Sequence, residues 1–344
     1  MGKLPQTIRE YKTRGDKPQN LRLEQASLSP PRASEVTVKI RAVSLQYRDL
    51  LVAHGRYAGA IGDLVPCSDC AGEIVAVGAD VKRWKVGDRV CPNFALDHVC
   101  GDVTEETKAT ALGGNIDGVL REYINVPAYS IVRIPDHLSY EEASTLPCAA
   151  LTAYSALMGP RPLKGGDYVL ALGTGGVSTF AAQIALASGA NVIVTSSSDE
   201  KMEVARKMGV QHRINYEKTP NWDEEVRKIT GGRGVDHVIE VGGPNTIQKS
   251  SRAVKDSGWV HIIGFVAGGE QGIPVETAVW NAITFRGMLV GSVMQFEDMN
   301  RLLAARNIHP VIDKVFTFEH AINAYTYLES QKHVGKVVIQ VSKD

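Results

Sequence analysis

The sequence predicts an α/β protein: a doubly wound parallel sheet in the C-terminal half and a small barrel-like β domain ahead of it. Three observations lead there. Residues 165–198 read GGDYVLALGTGGVSTFAAQIALASGANVIVTSSS, an apolar strand, a glycine turn, a small-residue helix and a second apolar strand. After residue 165, apolar strands keep alternating with helical stretches, the pattern of a parallel sheet covered on both faces. Before residue 135, short strands are separated by glycine turns, which suits a barrel.

At 344 residues the chain is too long for one core, so two domains are expected. Lys plus Arg and Asp plus Glu each number 38, so no net field draws nucleic acid or an anionic membrane. A 44% apolar content with 33 glycines suits a soluble α/β protein. No 18-residue apolar run exists to span a bilayer. The start, MGKLPQTIREYKTRG, lacks an apolar signal core, and the five cysteines are an odd number. Both point to reduced thiols and a cytoplasmic location.

Taken in order, residues 7–14 and 21–26 form a first hairpin. Glu35 to Ser44 alternates as Val36, Val38, Ile40 and Ala42, a strand with one wet face. Further strands are expected at Glu73 to Val77, Tyr123 to Val126 and Ser130 to Ile134, and Val86 to Val90 reads as a turn plus strand. The polar, glycine-containing stretch 95–118 reads as a mobile loop. Ser139-Tyr140-Glu141-Glu142 is a capping-box start. Its helix ends near Leu146, and a new one follows Pro147, from Ala149 to Leu157. The βαβ unit follows, with strands Tyr168 to Leu172 and Asn191 to Thr195. Helix Lys201 to Met208, strand Gln211 to Asn215 and helix Asp223 to Thr230 come next. Strand Val235 to Val241 runs into Gly242-Gly243. Helix Thr246 to Val254 and strands Gly258 to Phe265 and Phe285 to Gly291 complete the sheet. An amphipathic helix, Phe296 to Arg306, precedes strand Val311 to Phe316, a helix near Glu319 to Leu328 and strand Lys336 to Val341.

The glycine turn, Gly173-Thr174-Gly175-Gly176-Val177, reads as a dinucleotide site. Glycine permits the tight turn and lets a phosphate approach the backbone, and N–H groups at the helix start face the anion. The third glycine of that pattern is Ser178 here. A tight turn without a ligand is the alternative.

Several segments together resemble the medium-chain dehydrogenase/reductase superfamily. They are VSLQYRDLLVAHGRY at 43–57, LVPCSDCAGEIVAVG at 64–78, KVGDRV at 85–90, LSYEEASTLPCAALTAYSAL at 138–157, the βαβ unit and HVGKVVI at 333–339. The nearest branch is the quinone oxidoreductase-like and zinc-type alcohol dehydrogenase-like proteins. The resemblance implies a GroES-like catalytic domain made by both chain ends, 1–134 and 309–344, around a Rossmann domain at 135–308. It also implies a homodimer through the edges of the nucleotide sheets and a small-molecule substrate.

Zinc-dependent members of that family place a cysteine where this chain has Gln46, Gly-His-Glu where it has Cys67-Ser68-Asp69, and often a later cysteine, matched here by Cys148. An amide and a hydroxyl are poor zinc ligands. Only Cys91 and Cys100 stand where structural-zinc members carry four cysteines. No metal is expected.

NADP is the expected cofactor. An NAD site has an acid after the second strand; the matching position here is Ser196, followed by Ser197 and Ser198. Lys201 lies one helical turn on, and Tyr216 matches a tyrosine that contacts the 2′-phosphate in relatives. Against this, the serines also suit helix capping and Lys201 suits a surface. Thr152 matches a threonine near the nicotinamide, expected in a cleft between domains with Gly242, Gly264, Phe265 and Val266; a hydroxyl bonded to its own helix is the alternative. Tyr57 matches a proton donor of related enoyl reductases, or else anchors its loop. Gln46 and Asp49 are lesser candidates for the catalytic pocket. The function expected is zinc-independent NADPH hydride transfer to a quinone or α,β-unsaturated carbonyl. The alternatives are a zinc-type alcohol dehydrogenase and a nucleotide-binding protein without enzymatic activity.

Overall fold

A computed structural model describes residues 4–59 and 62–343; Met1 to Lys3 of the N-terminal stretch read above lie outside the described residues. The chain divides into two compact units, Met1–Leu151 with Val290–Asp344, and Thr152–Leu289.

In chain order the first unit opens with β1 (Thr7–Lys12) and β2 (Arg22–Ser27), paired antiparallel with Thr7 opposite Ser27. Then come β3 (Glu35–Ser44), α1 (Tyr47–Ala53), β4 (Asp69–Val77), β5 (Arg89–Pro92), α2 (Glu105–Ala109), β6 (Tyr123–Pro127), β7 (Ile131–Arg133), α3 (Tyr140–Ala143) and α4 (Leu151–Met158). The second unit holds β8 (Tyr168–Ala171), α5 (Gly176–Ala187), β9 (Asn191–Ser196), α6 (Asp199–Lys207), β10 (His212–Asn215), α7 (Trp222–Ile229), β11 (Val235–Glu240), α8 (Pro244–Ala253), β12 (Val254–Ile262), α9 (Val275–Trp280) and β13 (Thr284–Gly287). The chain then returns to the first unit with α10 (Val293–Ala305), β14 (Ile312–Thr317), α11 (Ala321–Glu329) and β15 (Lys336–Gln340).

In the first unit the strands run β14-β15-β3-β4-β5-β7, with β6 also on β3. All neighbours are antiparallel except β14 and β15. β3 is the hub because Val36, Val38, Ile40 and Val43 are all fully buried. Each such side chain contributes roughly 1.5–3 kcal/mol of burial. The second unit is an all-parallel sheet in the order β10-β9-β8-β11-β12-β13, with the chain reversing direction beside β8. Its core gathers Leu170, Ile193, Val238, Val260, Trp222 and Ile247. In an open α/β sheet, the strand ends at this reversal are where ligands bind. Among the described residues no helix is long and apolar enough to cross a membrane.

Several local expectations need correction. The stretch 95–118, read as a mobile loop, is a tied-down excursion. Ala95 pairs with Ala111 and Leu112 with Ile116, Thr104 caps α2, and Ala95, Leu96, Ala111 and Leu112 are buried. Its polar average concealed apolar anchors at both ends. Nor does Pro147 separate two regular helices: α3 ends at Ala143, and a single wide turn of π-helix spans Leu146–Ala150 before α4. Proline has no N–H to lose, so a wider turn costs little there. The turn frees the Cys148 N–H, which donates to Asp69 Oδ2 at 2.9 Å. The capping box formed as read, with Ser139 and Glu142 exchanging bonds of 2.8 and 3.1 Å. Helix α9 was missed, and β12 starts earlier than expected and stops at Ile262, leaving Phe265 and Val266 exposed beyond it.

Candidate active site

The parallel-sheet unit presents its glycine turn at the end of β8. Gly173 takes φ +75°, a conformation that favours glycine, and its N–H donates to Thr195 Oγ1 at 3.2 Å. A Cβ built on Gly173 or on Gly175 would meet nothing within 4 Å, so packing within the chain does not demand these glycines. Helix α5 starts behind them with Gly175 at its N-cap, Gly176 and Val177 in its first turn, and no side chain bonded to its leading N–H groups. Open space over a small-residue turn, with unspent N–H groups behind it, fits the pyrophosphate of a dinucleotide. Ser178, the substitute for the third glycine, is buried and spends its hydroxyl on Leu172 O at 2.6 Å.

At the end of β9, Ser196 is buried and Ser197 is exposed; Ser198, not Ser197, caps α6 by accepting from Lys201 N. Tyr216 follows β10, its N–H bonded to Ser196 O at 3.0 Å, so it stands beside the serines. The first carboxylate of α6, Asp199, accepts from Asn215 Nδ2 at 2.7 Å and from Lys218 Nζ. These bonds hold its pKa below the usual range. Lys218 is thus a cation held at the first residue of α6, unmarked by any motif.

At the end of β11 the turn Gly242-Gly243 hangs on one buried carboxylate. Glu240 Oε1 accepts from Gly242 N at 2.8 Å, Gly243 N at 3.0 Å and Thr246 Oγ1 at 2.6 Å, and Oε2 accepts from Ser250 Oγ. Gly243 has φ +88°, and a Cβ on it would fall 2.6 Å from Phe265 Cα. That close approach brings Gly264, Phe265 and Val266 beside the turn. Thr152, second in α4, is buried. The sequence reading passed over Glu240, because a strand-end acid carries no signal until the turn folds back on it.

The first unit holds a buried polar cluster around α1. Asp49 Oδ2 accepts from Gln46 N at 2.7 Å and so closes the helix start. Gln46 Nε2 donates to Asp69 Oδ2 at 2.6 Å, and Ser68 Oγ donates to Asp69 Oδ1 at 2.5 Å. Lys336 is buried in the same cluster and donates to Leu45 O at 2.5 Å. Burial pushes the Asp49 carboxyl up to about 7, with Arg48 pulling the other way. It also raises Asp69, opposed chiefly by Lys336. Tyr57 is half-buried after α1, its ring under the Arg48 guanidinium at 4.7 Å. The structure therefore brings Gln46, Asp49, Asp69 and Lys336 into one network and sets Tyr57 against Arg48.

Residues 32–136 match the alcohol dehydrogenase GroES-like domain family and residues 176–305 the zinc-binding dehydrogenase family. A zinc-type alcohol dehydrogenase-like protein of Schizosaccharomyces pombe is 48% identical over 315 residues, covering 89% of this chain and 91% of its own. The chain is a medium-chain dehydrogenase/reductase. A crystal structure of a candidate alcohol dehydrogenase from Sinorhizobium meliloti 1021 superposes on this superfamily member with TM-score 0.92 at 37% identity, covering 98% of this chain and all of that one. A crotonyl-CoA reductase of Streptomyces avermitilis is 30% identical over 296 residues, 78% of this chain and 66% of its own. Medium-chain dehydrogenase/reductases are oxidoreductases that bind a nicotinamide cofactor, and the glycine turn fits one.

The zinc implied by the family names does not fit the residues here. Gln46 points an amide N–H at Asp69, both Asp69 oxygens are engaged, and burial drives the Cys148 thiol strongly toward its neutral form. Lys336, buried in the same cluster, already opposes the charge of Asp69. Among the described residues no group of three His, Cys, Asp or Glu side chains is placed to hold a metal ion.

Proposed function

We propose that this chain is an NADPH-dependent reductase of quinones or α,β-unsaturated carbonyls. The donor set at the family's metal positions carries the reading. It is occupied by the protein's own amide, hydroxyl and backbone N–H groups, so it offers no ligand set for the metal that activates an alcohol in zinc-dependent relatives. An acceptor with a conjugated carbonyl needs less: a hydrogen-bond donor at its oxygen and a proton afterwards. Tyr57, with its hydroxyl in a half-buried loop, is our candidate donor. The name of the Streptomyces relative, a reductase of crotonyl-CoA, points the same way. The bound nicotinamide supplies a hydride; the chain's own task is to hold both reactants and exclude water. In this reading Gly173, Gly175, Gly176 and Val177 receive the pyrophosphate. Gly242, Gly264, Phe265, Val266 and Thr152 serve the nicotinamide half, and Gln46 and Asp49 shape the acceptor pocket.

The preference for NADPH rests on Ser196 and Ser197 in place of an acid, with Lys201 and Tyr216 at the same corner and Asp199 held by Lys218. A charged hydrogen bond from Lys201 to a 2′-phosphate is worth roughly 1.5–3 kcal/mol, about one to two decades of affinity. One experiment tests cofactor and acceptor together. Wild type and Lys201→Ala are titrated with NADPH and NADH, then assayed with 9,10-phenanthrenequinone, 2-alkenals and simple alcohols. We expect Lys201→Ala to weaken NADPH about 10- to 100-fold and NADH hardly at all. Wild type should reduce the quinone and alkenals. Tighter NADH binding by wild type rejects the cofactor preference. Metal-dependent alcohol oxidation rejects the acceptor class, and binding without turnover of any acceptor favours a non-enzymatic role.

The protein acts as a homodimer in this proposal, through the open edge of the parallel sheet. Strand β13 pairs only with β12 among the described residues. Beside it in sequence, α9 exposes Val275, Val279 and Trp280, the last at 85%. Such a run of exposed apolar groups beside an unpaired edge suits burial against a second copy. Light scattering should give twice the 37.2 kDa chain mass, and Trp280→Arg should shift it to the monomer. A wild-type monomer at micromolar concentration would exclude the arrangement.

A further inference from the structure

Arg48, which no motif singled out, has the least satisfied buried charge in the first unit. Its side chain is only 9% exposed. The guanidinium carbon lies 4.7 Å from the Tyr57 ring centroid and 4.8 Å from that of Phe94. Nη1 donates to Leu112 O at 2.8 Å, and the Asp49 carboxylate is 3.8 Å away, beyond hydrogen-bond range. Nε and Nη2 are buried with no hydrogen-bond partner. A buried cation in contact with two aromatic rings, with Nη1 bonded and Nε and Nη2 unspent, has N–H groups left for an anion. Burial works against its charge, but Asp49, then Tyr57 and Cys148, more than restore it.

We propose that Arg48 is the oxyanion-binding residue of the acceptor pocket, donating from Nη2 and Nε to the acceptor's carbonyl oxygen. The hydride forms a C–H bond at the β-carbon of the conjugated acceptor. The C=C pair moves to make a new bond toward the carbonyl carbon, and the carbonyl π pair settles on oxygen as the oxyanion facing Arg48. The nicotinamide cofactor is oxidised, and a proton from the Tyr57 hydroxyl or water completes the product. Arg48 donates most strongly when the oxygen carries charge, so it acts on the transition state more than on the bound substrate. The assignment rests on the acceptor class proposed above, and its test has a readout independent of turnover.

The probe is 4-nitrophenol, whose phenolate absorbs apart from its phenol, titrated against the full-length protein over a pH series. Wild type should bind the phenolate and lower the probe's apparent pKa by about one unit, a tenfold preference for the anion. Arg48→Gln should abolish the shift, and Arg48→Lys, which keeps the charge without the fork, should retain part of it. Gly114→Ala guards against misfolding of the Arg48 variants. Its Cβ would fall 2.4 Å from Nη2, at the mobile end of the arginine, so it displaces the guanidinium without removing a charge. It too should cut the shift. With 9,10-phenanthrenequinone, Arg48→Gln should lower kcat by 10²–10³ with KM changed less than fivefold and NADPH affinity unchanged. A probe that does not bind, binds as the neutral phenol, or keeps its shift in both Arg48→Gln and Gly114→Ala overturns the proposal. An Arg48-dependent shift in a protein that reduces no quinone or enone upholds the anion site and overturns the acceptor class alone.

Discussion

Glu240→Leu is expected to lower the melting temperature by roughly 15 °C and to abolish cofactor binding. The leucine removes the acceptor shared by Gly242 N, Gly243 N, Thr246 Oγ1 and Ser250 Oγ, all at the end of β11. Each buried donor left without a partner costs about 1–3 kcal/mol, and the losses overlap because the four donors share one group; about 4 kcal/mol in total is reasonable. Spread over a unit of this size, that is the stated shift in melting temperature. Cofactor binding suffers with it, because the turn that Glu240 holds carries Gly242 and seats Gly243 against Phe265. Glu240→Gln keeps one carbonyl oxygen for the two backbone N–H groups and should cost about a third as much. Differential scanning calorimetry and NADPH titration on the three proteins check this. A fall of less than about 4 °C for the leucine variant would mean that the turn holds itself.

Acidification should destabilise the parallel-sheet unit through one pair of rings. His237 on β11 and His261 on β12 are buried, stacked 5.4 Å apart at 11°, and joined Nδ1 to Nε2 at 3.1 Å. Burial depresses them to about 4 and about 3. For His237, Asp167 pulls back and Arg161 reinforces the shift; for His261, the neighbouring His237 and Arg286 add to it. A depressed histidine pKa means that the unfolded chain binds protons which the native state refuses. The stabilisation is therefore complete above about pH 6.5 and is lost as pH falls toward 4. Two rings titrating together give a loss of roughly 4 kcal/mol by pH 4.5. Asp49, raised to about 7, titrates in the opposite sense: its contribution is lost as pH rises from about 4 through 7. The comparison is therefore made against a variant, His237→Asn with His261→Gln, which keeps a neutral hydrogen bond and leaves Asp49 in place. Urea unfolding at pH 7.5 and 4.5 should show wild type losing about 4 kcal/mol more than the variant. Parallel losses in the two proteins would place the acid sensitivity elsewhere.

The two predictions probe what sequence reading could not supply. By itself the sequence determined the class of fold, because the information is local. The period-2 alternation of Val36, Val38 and Ile40 sets a strand, Ser139 with Glu142 sets a helix start, and Gly173 to Gly176 between a strand and a helix sets a phosphate-type turn. It also determined, by the residue types at 46 and 68, that the family's metal positions hold poor ligands. What only the tertiary structure decided is which distant groups share a site. Glu240 matters through Gly242, Gly243, Thr246 and Ser250 once the turn folds back on it. Asp69 matters through Gln46 and Cys148, brought together by a π-turn that Pro147 tolerates. Arg48 meets Tyr57, Phe94 and the carbonyl of Leu112 inside a fold in which the excursion at 95–118, read as loose from its polar average, is anchored by buried Leu96 and Leu112. Propensity and motif act over a few residues, whereas an unsatisfied charge or a shared carboxylate is a property of burial, and burial is set by the whole chain.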